Sequence, residues 1–346
     1  MKPGDLVGLD LPALERVMES LGEKRYHASQ IYRWIYSRRV DSFDGMTDLS
    51  RRTRGRLAEA FSARRPRVAR VQESSDGTRK YLLEGLRGGK IEAVAIPEPR
   101  RVTFCISPQI GCALDCHFCL TASMGLVRHL EPGEIVGQVL ELIEDNAERI
   151  GSRPVNIVMM GMGEALHNYD NSMAAVRLLA DPQGVAIPAR RITLSTAGMV
   201  PGILRLASEK VRPRLAISLN ATTDEVRSRI MPINKRYPLA TLMDACRSYP
   251  LGARERLTFE YVLLGGVNDT PDDPARLVSL VGRHAIKAKI NLIPFNPAAG
   301  LGYVEPQESS VRRFRDHLLA HGLPVSIRKN RGRDISAACG QLAVGP

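Results

Sequence analysis

The sequence has no run of about 18 apolar residues, which excludes a membrane-spanning helix of ordinary length. Its opening stretch, MKPGDLVGLDLPALERVMESLGE, lacks the continuous apolar segment of a signal peptide and carries five acids within 23 positions. A cytoplasmic location is therefore expected. Aromatic residues are scarce at 5%, with one Trp. Lysine is scarcer still: of 49 basic residues, nine are Lys and forty Arg. Six cysteines in 346 residues are too few for a disulfide scaffold, and clustered thiols in a reducing compartment serve metals or catalysis. What is present in quantity is apolar (44%) and charged (25%) residues, the composition of a folded chain with a sizeable core. The length suits two or three domains, or one large barrel with an appendage. A net charge of +12 and a pI near 9.7 speak to partners and not to fold. The arginine excess favours planar, bidentate contact with phosphate or carboxylate.

Residues 11–21 place Leu11, Leu14, Val17, Met18 and Leu21 on one helical face, with Asp10 as cap and Pro12 in the first turn. A second helix is expected over Ala28–Arg38, burying Ile31, Trp34 and Ile35. Eight Arg and one Glu fall between Arg51 and Arg70, a local net of +7. Such a run is either a solvated face or a track for a phosphate backbone. After Gly77 the pattern alternates: Tyr81-Leu82-Leu83 and Ile91–Ile96 flank Arg87-Gly88-Gly89 as a hairpin. The domain boundary is placed there, with residues 1–85 as a small helical unit and 86–346 as the second unit, its core over about 98–335.

Beyond it, seven short β-branched runs (Val102–Ser107, Asn156–Met160, Arg191–Thr196, Leu215–Leu219, Leu257–Leu264, Ile290–Pro294, Val325–Arg328) alternate with helical patterns. The helical patterns cover Pro132–Ala147, Ser172–Ala180, Leu239–Ser248, Pro274–His284 and Glu308–Ala320. Repeated β-α units imply a parallel sheet, either a (β/α) barrel or a doubly wound open sheet. Polar residues follow nearly every strand: cysteines after the first, Gly161-Met162-Gly163-Glu164 after the second, Ser195, Ser218 to Asn220, Asn296, and Cys339 after the last. They converge only if the sheet curls.

Cys112-x3-Cys116-x2-Cys119 is the sharpest local feature. Zinc in a structural site takes four protein ligands, which His117 or His129 would have to complete. A four-iron cluster on three cysteines instead leaves one iron open to a further ligand.

At these residues the chain resembles the radical S-adenosylmethionine (SAM) superfamily, in which this triplet holds a [4Fe–4S] cluster that chelates SAM. Gly161-Met162-Gly163-Glu164 is similar to that family's glycine-rich SAM motif, with Glu164 placed to pair with the SAM amino group. Longer stretches narrow the resemblance to the RlmN/Cfr family of RNA adenosine methyltransferases: Tyr26–Tyr36, Arg229–Lys235, Phe259–Tyr261, Asn291–Pro297 and Ala338–Leu342. The resemblance implies an α/β fold, a partial (β/α) TIM-like barrel with a small, mainly helical N-terminal accessory domain. It implies that Ser195, Ser218, Leu219, Asn220 and Asn296 join Gly163 and Glu164 at SAM.

By the same resemblance, Cys339 accepts a methyl group from one SAM, and a second SAM, cleaved reductively, converts that methyl group to a radical that adds to adenine C2. Cys105 resolves the adduct by forming a disulfide, and Glu92 takes the C2 proton. Cys246 sits in a helical pattern and reads as core. The implied substrates are 23S rRNA at the peptidyl-transferase centre and the tRNA adenine 3′ to the anticodon, reached by base flipping. The Arg51–Arg70 run and Arg328, Lys329, Arg331 and Arg333 would contact phosphates. An electron donor such as flavodoxin with its reductase is implied, and a monomer is expected. Leu120, His129, Ala165 and Asn220 depart from the usual family pattern and bear on the RNA target. Two other readings stand: C8 methylation of the same rRNA base, and a non-catalytic, metal-stabilised RNA-binding protein.

Overall fold

The computed structural model describes residues 4–343. Helix α1 (Leu11–Ser20) begins where the Asp10 carboxylate accepts from the Ala13 N–H, and it buries Leu14 and Met18. Helix α2 (Tyr26–Tyr32) continues into a wider, π-type winding over Arg33–Ser37, which turns Trp34, Ile35 and Tyr36 all inward. The helix expected over residues 28–38 is thus two windings, starting two residues earlier. Helix α3 (Arg51–Ala60), capped by Ser50, takes the first half of the arginine run.

Ten strands form one sheet: β1 (Arg67–Glu73), β2 (Arg79–Glu84), β3 (Lys90–Glu98), β4 (Arg101–Cys105), β5 (Val155–Met159), β6 (Ile192–Thr196), β7 (Arg214–Ser218), β8 (Leu257–Leu263), β9 (Ala288–Pro294) and β10 (Val325–Ile327). Their spatial order is their chain order, and β1 does not pair with β10, so the barrel stays open. The first four strands are antiparallel neighbours, and β4 to β10 are parallel. The crossovers carry α4 (Pro132–Asp145), α5 (Tyr169–Ala180), α6 (Val200–Ala207), α7 (Asp224–Ile230) with α8 (Leu239–Ser248), α9 (Asp273–Arg283) and α10 (Glu308–Ala320). This is the partial barrel the sequence implied.

Alternation along the strands separates two environments. Phe104, Ile157, Leu194, Ile217, Phe259 and Leu292 are fully buried in the apolar core. Thr103, Asn156, Thr193, Thr258, Lys289 and Asn291 line a polar lumen.

The boundary expected at residue 85 falls in the turn between β2 and β3, which pair over six positions. The sheet therefore runs unbroken across it, and residues 67–84 belong with the barrel. The arginine run is also not uniformly solvated. Arg65 is buried, ion-paired with Glu141 and Glu144 of α4, and donates to the Arg39 carbonyl at 2.9 Å. Arg56 pairs with Glu23 at 3.0 Å. Arg51, Arg52, Arg64, Arg67 and Arg70 remain exposed.

Candidate functional site

Past β4 the chain forms a two-stranded ribbon, Gln109–Gly111 against Leu126–His129, and the loop between them carries the cysteine triplet. Gly111 has φ +71°, and a Cβ there would lie 1.8 Å from the Gly125 carbonyl oxygen, so only glycine can start this loop. Cys112, Cys116 and Cys119 line a cavity of about 160 Å³ at the C-terminal ends of the parallel strands. Among the described residues no three such ligands converge as a single metal ion requires. Three thiols on one loop, all lining the one cavity, match the donor set of a cluster that keeps one iron open. Burial pushes the Cys112 thiol up to about 12 and raises Cys116 and Cys119 as well. They become thiolates only when a cationic centre is bound. His117 faces Asp115 at 3.7 Å, and His129 contacts Gln109 at 2.9 Å; neither lines the cavity.

Glu164 reaches the same cavity from the loop after β5. Its carboxylate accepts from Ala197 N–H at 2.8 Å and Leu166 N–H at 3.1 Å. Burial lifts its carboxyl to about 7, opposed by those backbone donors. An arriving ammonium would reverse that shift. The glycines beside it have a structural reason of their own. A Cβ on Gly163 (φ +96°) would sit 2.4 Å from the Gln109 Cβ, and one on Gly161 would sit 2.5 Å from the Ser107 hydroxyl. They permit packing against the segment after β4, a reason beyond close approach of a ligand.

Ser195, Ser218 and Asn220 line the cavity from the ends of β6 and β7. Asn220, at φ +58°, accepts from Val262 N–H at 2.8 Å through its side-chain oxygen. Leu219 does not line it: its side chain is buried in the core, and its backbone is engaged by Glu260 and Arg227. Asn296 lines an adjoining cleft on the other side of Cys339, and its buried amide oxygen has no protein partner.

The C-terminal segment closes one side of the cavity. Leu120 N–H donates to the Gly340 carbonyl at 2.8 Å, the Thr121 hydroxyl to the Leu342 carbonyl at 2.5 Å, and the Gln341 amide to the Pro297 carbonyl at 3.0 Å. These bonds bring Cys339 into the wall beside the triplet. Cys105 lies behind it at the end of β4, and both are free thiols. Burial, reinforced by the charge of Cys339, pushes the Cys105 thiol up to about 12, while Arg328 opposes the shift. Cys246 is a core residue of α8.

Glu92 and Cys105 project from the same face of the sheet, since Val94 pairs with Cys105 and Glu92 lies two residues from Val94. Glu92 is buried outside the cavity, 3.3 Å from the Lys80 ammonium, with one carboxylate oxygen lacking a partner. Burial raises its carboxyl and Lys80 opposes this.

Two positions, Arg227 and Gln109, went unremarked in the sequence, and a third, Glu260, was given no role within its motif. Arg227, fully buried, donates to the carbonyls of Leu219 (2.9 Å), Ala197 (2.7 Å) and Ser218 (3.2 Å) and to the Asn234 side chain (3.0 Å). It ties the ends of β6 and β7 together behind the cavity. Gln109 accepts from Glu164 N–H at 2.7 Å. Glu260 lines the cavity and accepts from Asn291 at 2.7 Å. Their only sequence signal is position within or beside a motif. Conversely, Arg328 lines the cavity itself, Arg331 faces Asp76 at 3.6 Å and Arg333 pairs with Glu305 at 3.0 Å. Of the four basic residues expected at phosphates, Arg328 thus lies inside, Arg331 and Arg333 stand beside carboxylates, and Lys329 is exposed.

Residues 4–62 match the N-terminal domain of ribosomal RNA large subunit methyltransferases, and residues 106–278 match the radical SAM superfamily. The dual-specificity RNA methyltransferase RlmN of Syntrophotalea carbinolica is 49% identical over 98% of this chain and 89% of its own length. That of Geobacter sulfurreducens is 48% identical over 98% and 91%. A solved radical SAM methyltransferase from Sphaerobacter thermophilus is 42% identical and superposes with a TM-score of 0.92 over 98% of this chain and 99% of that one. With the cysteine loop, glycine-rich loop and C-terminal cysteine gathered at one barrel mouth, the chain belongs to the RlmN family of radical SAM RNA methyltransferases.

Proposed function

We propose that the chain methylates C2 of an adenine in RNA, in 23S rRNA and in the tRNA adenine 3′ to the anticodon, through a methyl group carried on Cys339. The observation that supports this reading best is the position of Cys339, which lines the same cavity as Cys112, Cys116, Cys119 and Glu164. A non-catalytic RNA-binding protein has no use for a fourth thiol there with a fifth behind it. The relatives' names, dual-specificity RNA methyltransferase, carry the substrate class.

Cys112, Cys116 and Cys119 would hold a [4Fe–4S] cluster, and Glu164, Gly163, Ser195, Ser218 and Asn220 would hold SAM, with Asn296 and the Leu219 backbone at its margin. When bound, such a cluster supplies one electron and an open iron to the methionyl end of SAM. Glu164 offers its carboxylate to the ligand ammonium. Cys339 presents its sulfur to the methyl donor and then to the base. Once the methylene carbon has joined adenine, Glu92, a stronger base for being buried, takes the ring proton, and the adduct's unpaired electron passes to a one-electron acceptor such as the redox partner. Cys105 then attacks the Cys339 sulfur: an S–S bond forms, the S–C bond breaks, and its electron pair stays with the carbon, which takes up a proton to become the methyl group. A redox protein such as flavodoxin, with its reductase, would return the disulfide to two thiols and reduce the cluster.

Peptide mapping of the isolated protein tests the first half, with S-methylation on Cys339 expected. Nucleoside mass spectrometry of RNA from cells with and without the gene tests the second, with 2-methyladenosine expected. Methyl transfer retained by Cys339→Ala, or 8-methyladenosine as the sole product, overturns the reading.

A further inference from the structure

A cavity of about 850 Å³ lies at the opposite end of the barrel from the cysteines, where β7, β8 and β9 begin and α5 ends. Seven cationic side chains line it: Arg177, Lys210, Arg212, Arg214, Arg254, Arg256 and Lys289. Arg177 pairs with Glu209, and none of the other six has a carboxylate within ion-pair distance among the described residues. Its two acids are engaged: Asp181 accepts from the Tyr32 hydroxyl at 2.8 Å, and Glu255 from Gly252 N–H at 2.8 Å. Tyr249 also lines the cleft. It is 6% exposed, and its buried hydroxyl has no hydrogen-bond partner. Uncompensated cations around an unsatisfied buried donor describe a site for an anion. Burial and the neighbouring charge of Arg214 already hold the Lys289 ammonium below its ordinary value.

Two features indicate where that anion comes from. The rim is joined to the N-terminal helical domain through Tyr32 and Asp181. The cleft also opens at the other end of the strands from the cysteine cavity: β7 gives Arg214 and Leu215 to the cleft and Ser218 to the cavity. A single nucleotide cannot occupy both ends of the barrel, but a structured RNA can. We propose that this cleft is a second RNA contact, which holds the phosphate backbone of a large substrate while its target adenine occupies the far mouth. The inference rests on the RNA methylation proposed above. It assigns the cleft a positioning role and no part in the chemistry, because phosphate contacts set register and affinity without touching the reacting base.

The test uses the full, reconstituted protein and two RNAs: a full-length structured substrate, and a hairpin of about five base pairs carrying the same target adenine. Arg254→Glu/Arg256→Glu changes two exposed side chains. Arg312→Glu/Arg315→Glu on α10 is the control for net charge. The cleft variant is expected to raise KM for the long RNA tenfold or more and to leave kcat unchanged. It should flatten the salt dependence by about one to two charges and leave KM for the hairpin unaltered. The α10 control should move none of these by more than about twofold. Tyr249→Phe should weaken the long RNA alone while the free protein unfolds at an unchanged temperature. Equal losses on both RNAs, equal losses in the α10 control, or no loss on the long RNA overturn the proposal. So does inorganic tripolyphosphate bound at micromolar concentration and lost in the variant while KM for the long RNA stays constant, which would make this a small-anion site. If wild-type protein methylates neither RNA, the activity assignment fails on its own. Filter binding of the long RNA then still reads the cleft, with weaker binding in the variant supporting it and equal binding overturning it.

Discussion

Glu164 shows how one buried carboxyl couples stability to ligand binding. Its folded value of about 7 stands above the 4.5 of an ordinary glutamate. The folded state therefore holds a proton that the unfolded state has released. The stability this group contributes is full below about 4.5 and is lost as pH rises toward 7. Ligand-free wild type should fall behind Glu164→Gln in denaturant titrations between pH 5 and pH 8, by on the order of 3 kcal/mol at most. SAM titrations of the reconstituted proteins should run the other way, with the variant binding at least tenfold more weakly at pH 7.5. Glu164 and the cysteine triplet were legible in the sequence because their chemistry is confined to a few consecutive residues. Arg227 and Gln109 were not. They act on backbone atoms that are distant in sequence or concealed by loop geometry, and an arginine within α7 looks like any other surface cation.

At the scale of elements, the site depends on strand ends being held at fixed separations, and Arg227 holds two of them. It offers a planar fork to four acceptors, three of them backbone carbonyls at the ends of β6 and β7. A lysine keeps the charge but places a single nitrogen among those acceptors. Arg227→Lys should cost on the order of 2–4 kcal/mol in urea unfolding. It should also weaken SAM binding, because Ser218 and Ala197 flank the cavity. The seven parallel strands were readable as β-branched runs bounded by turns, and their observed limits differ from the expected ones by a residue or two. The π winding after α2 was not readable, since its apolar pattern at Ile31, Trp34 and Ile35 also fits an ordinary helix.

For the whole molecule, the joint between the helical N-terminal part and the barrel rests on particular ion pairs. Arg65 and Arg64 are adjacent and identical in composition terms, yet one is buried between two α4 glutamates and the other is exposed. Arg65→Met should destabilise by about 2–4 kcal/mol, because it strands Glu141 and Glu144. Arg64→Met should stay within about 0.5 kcal/mol; thermal and denaturant unfolding of the two variants decide this. A sequence pattern cannot reveal such a division, nor can it tell which sheet a hairpin joins. For that reason the boundary at residue 85 looked natural and the continuous sheet did not.

The ten strands lie side by side in the order in which they occur in the chain. During synthesis each new strand thus meets an edge that has already been made, and none must wait for a later segment to complete its pairing. Assembly can proceed outward from β1 as the polypeptide emerges, with one hydrophobic edge exposed at a time. Ribosome-bound chains stalled after successive strands should resist protease up to the last strand completed, and the cysteine cavity should become protected only after β10 is in place.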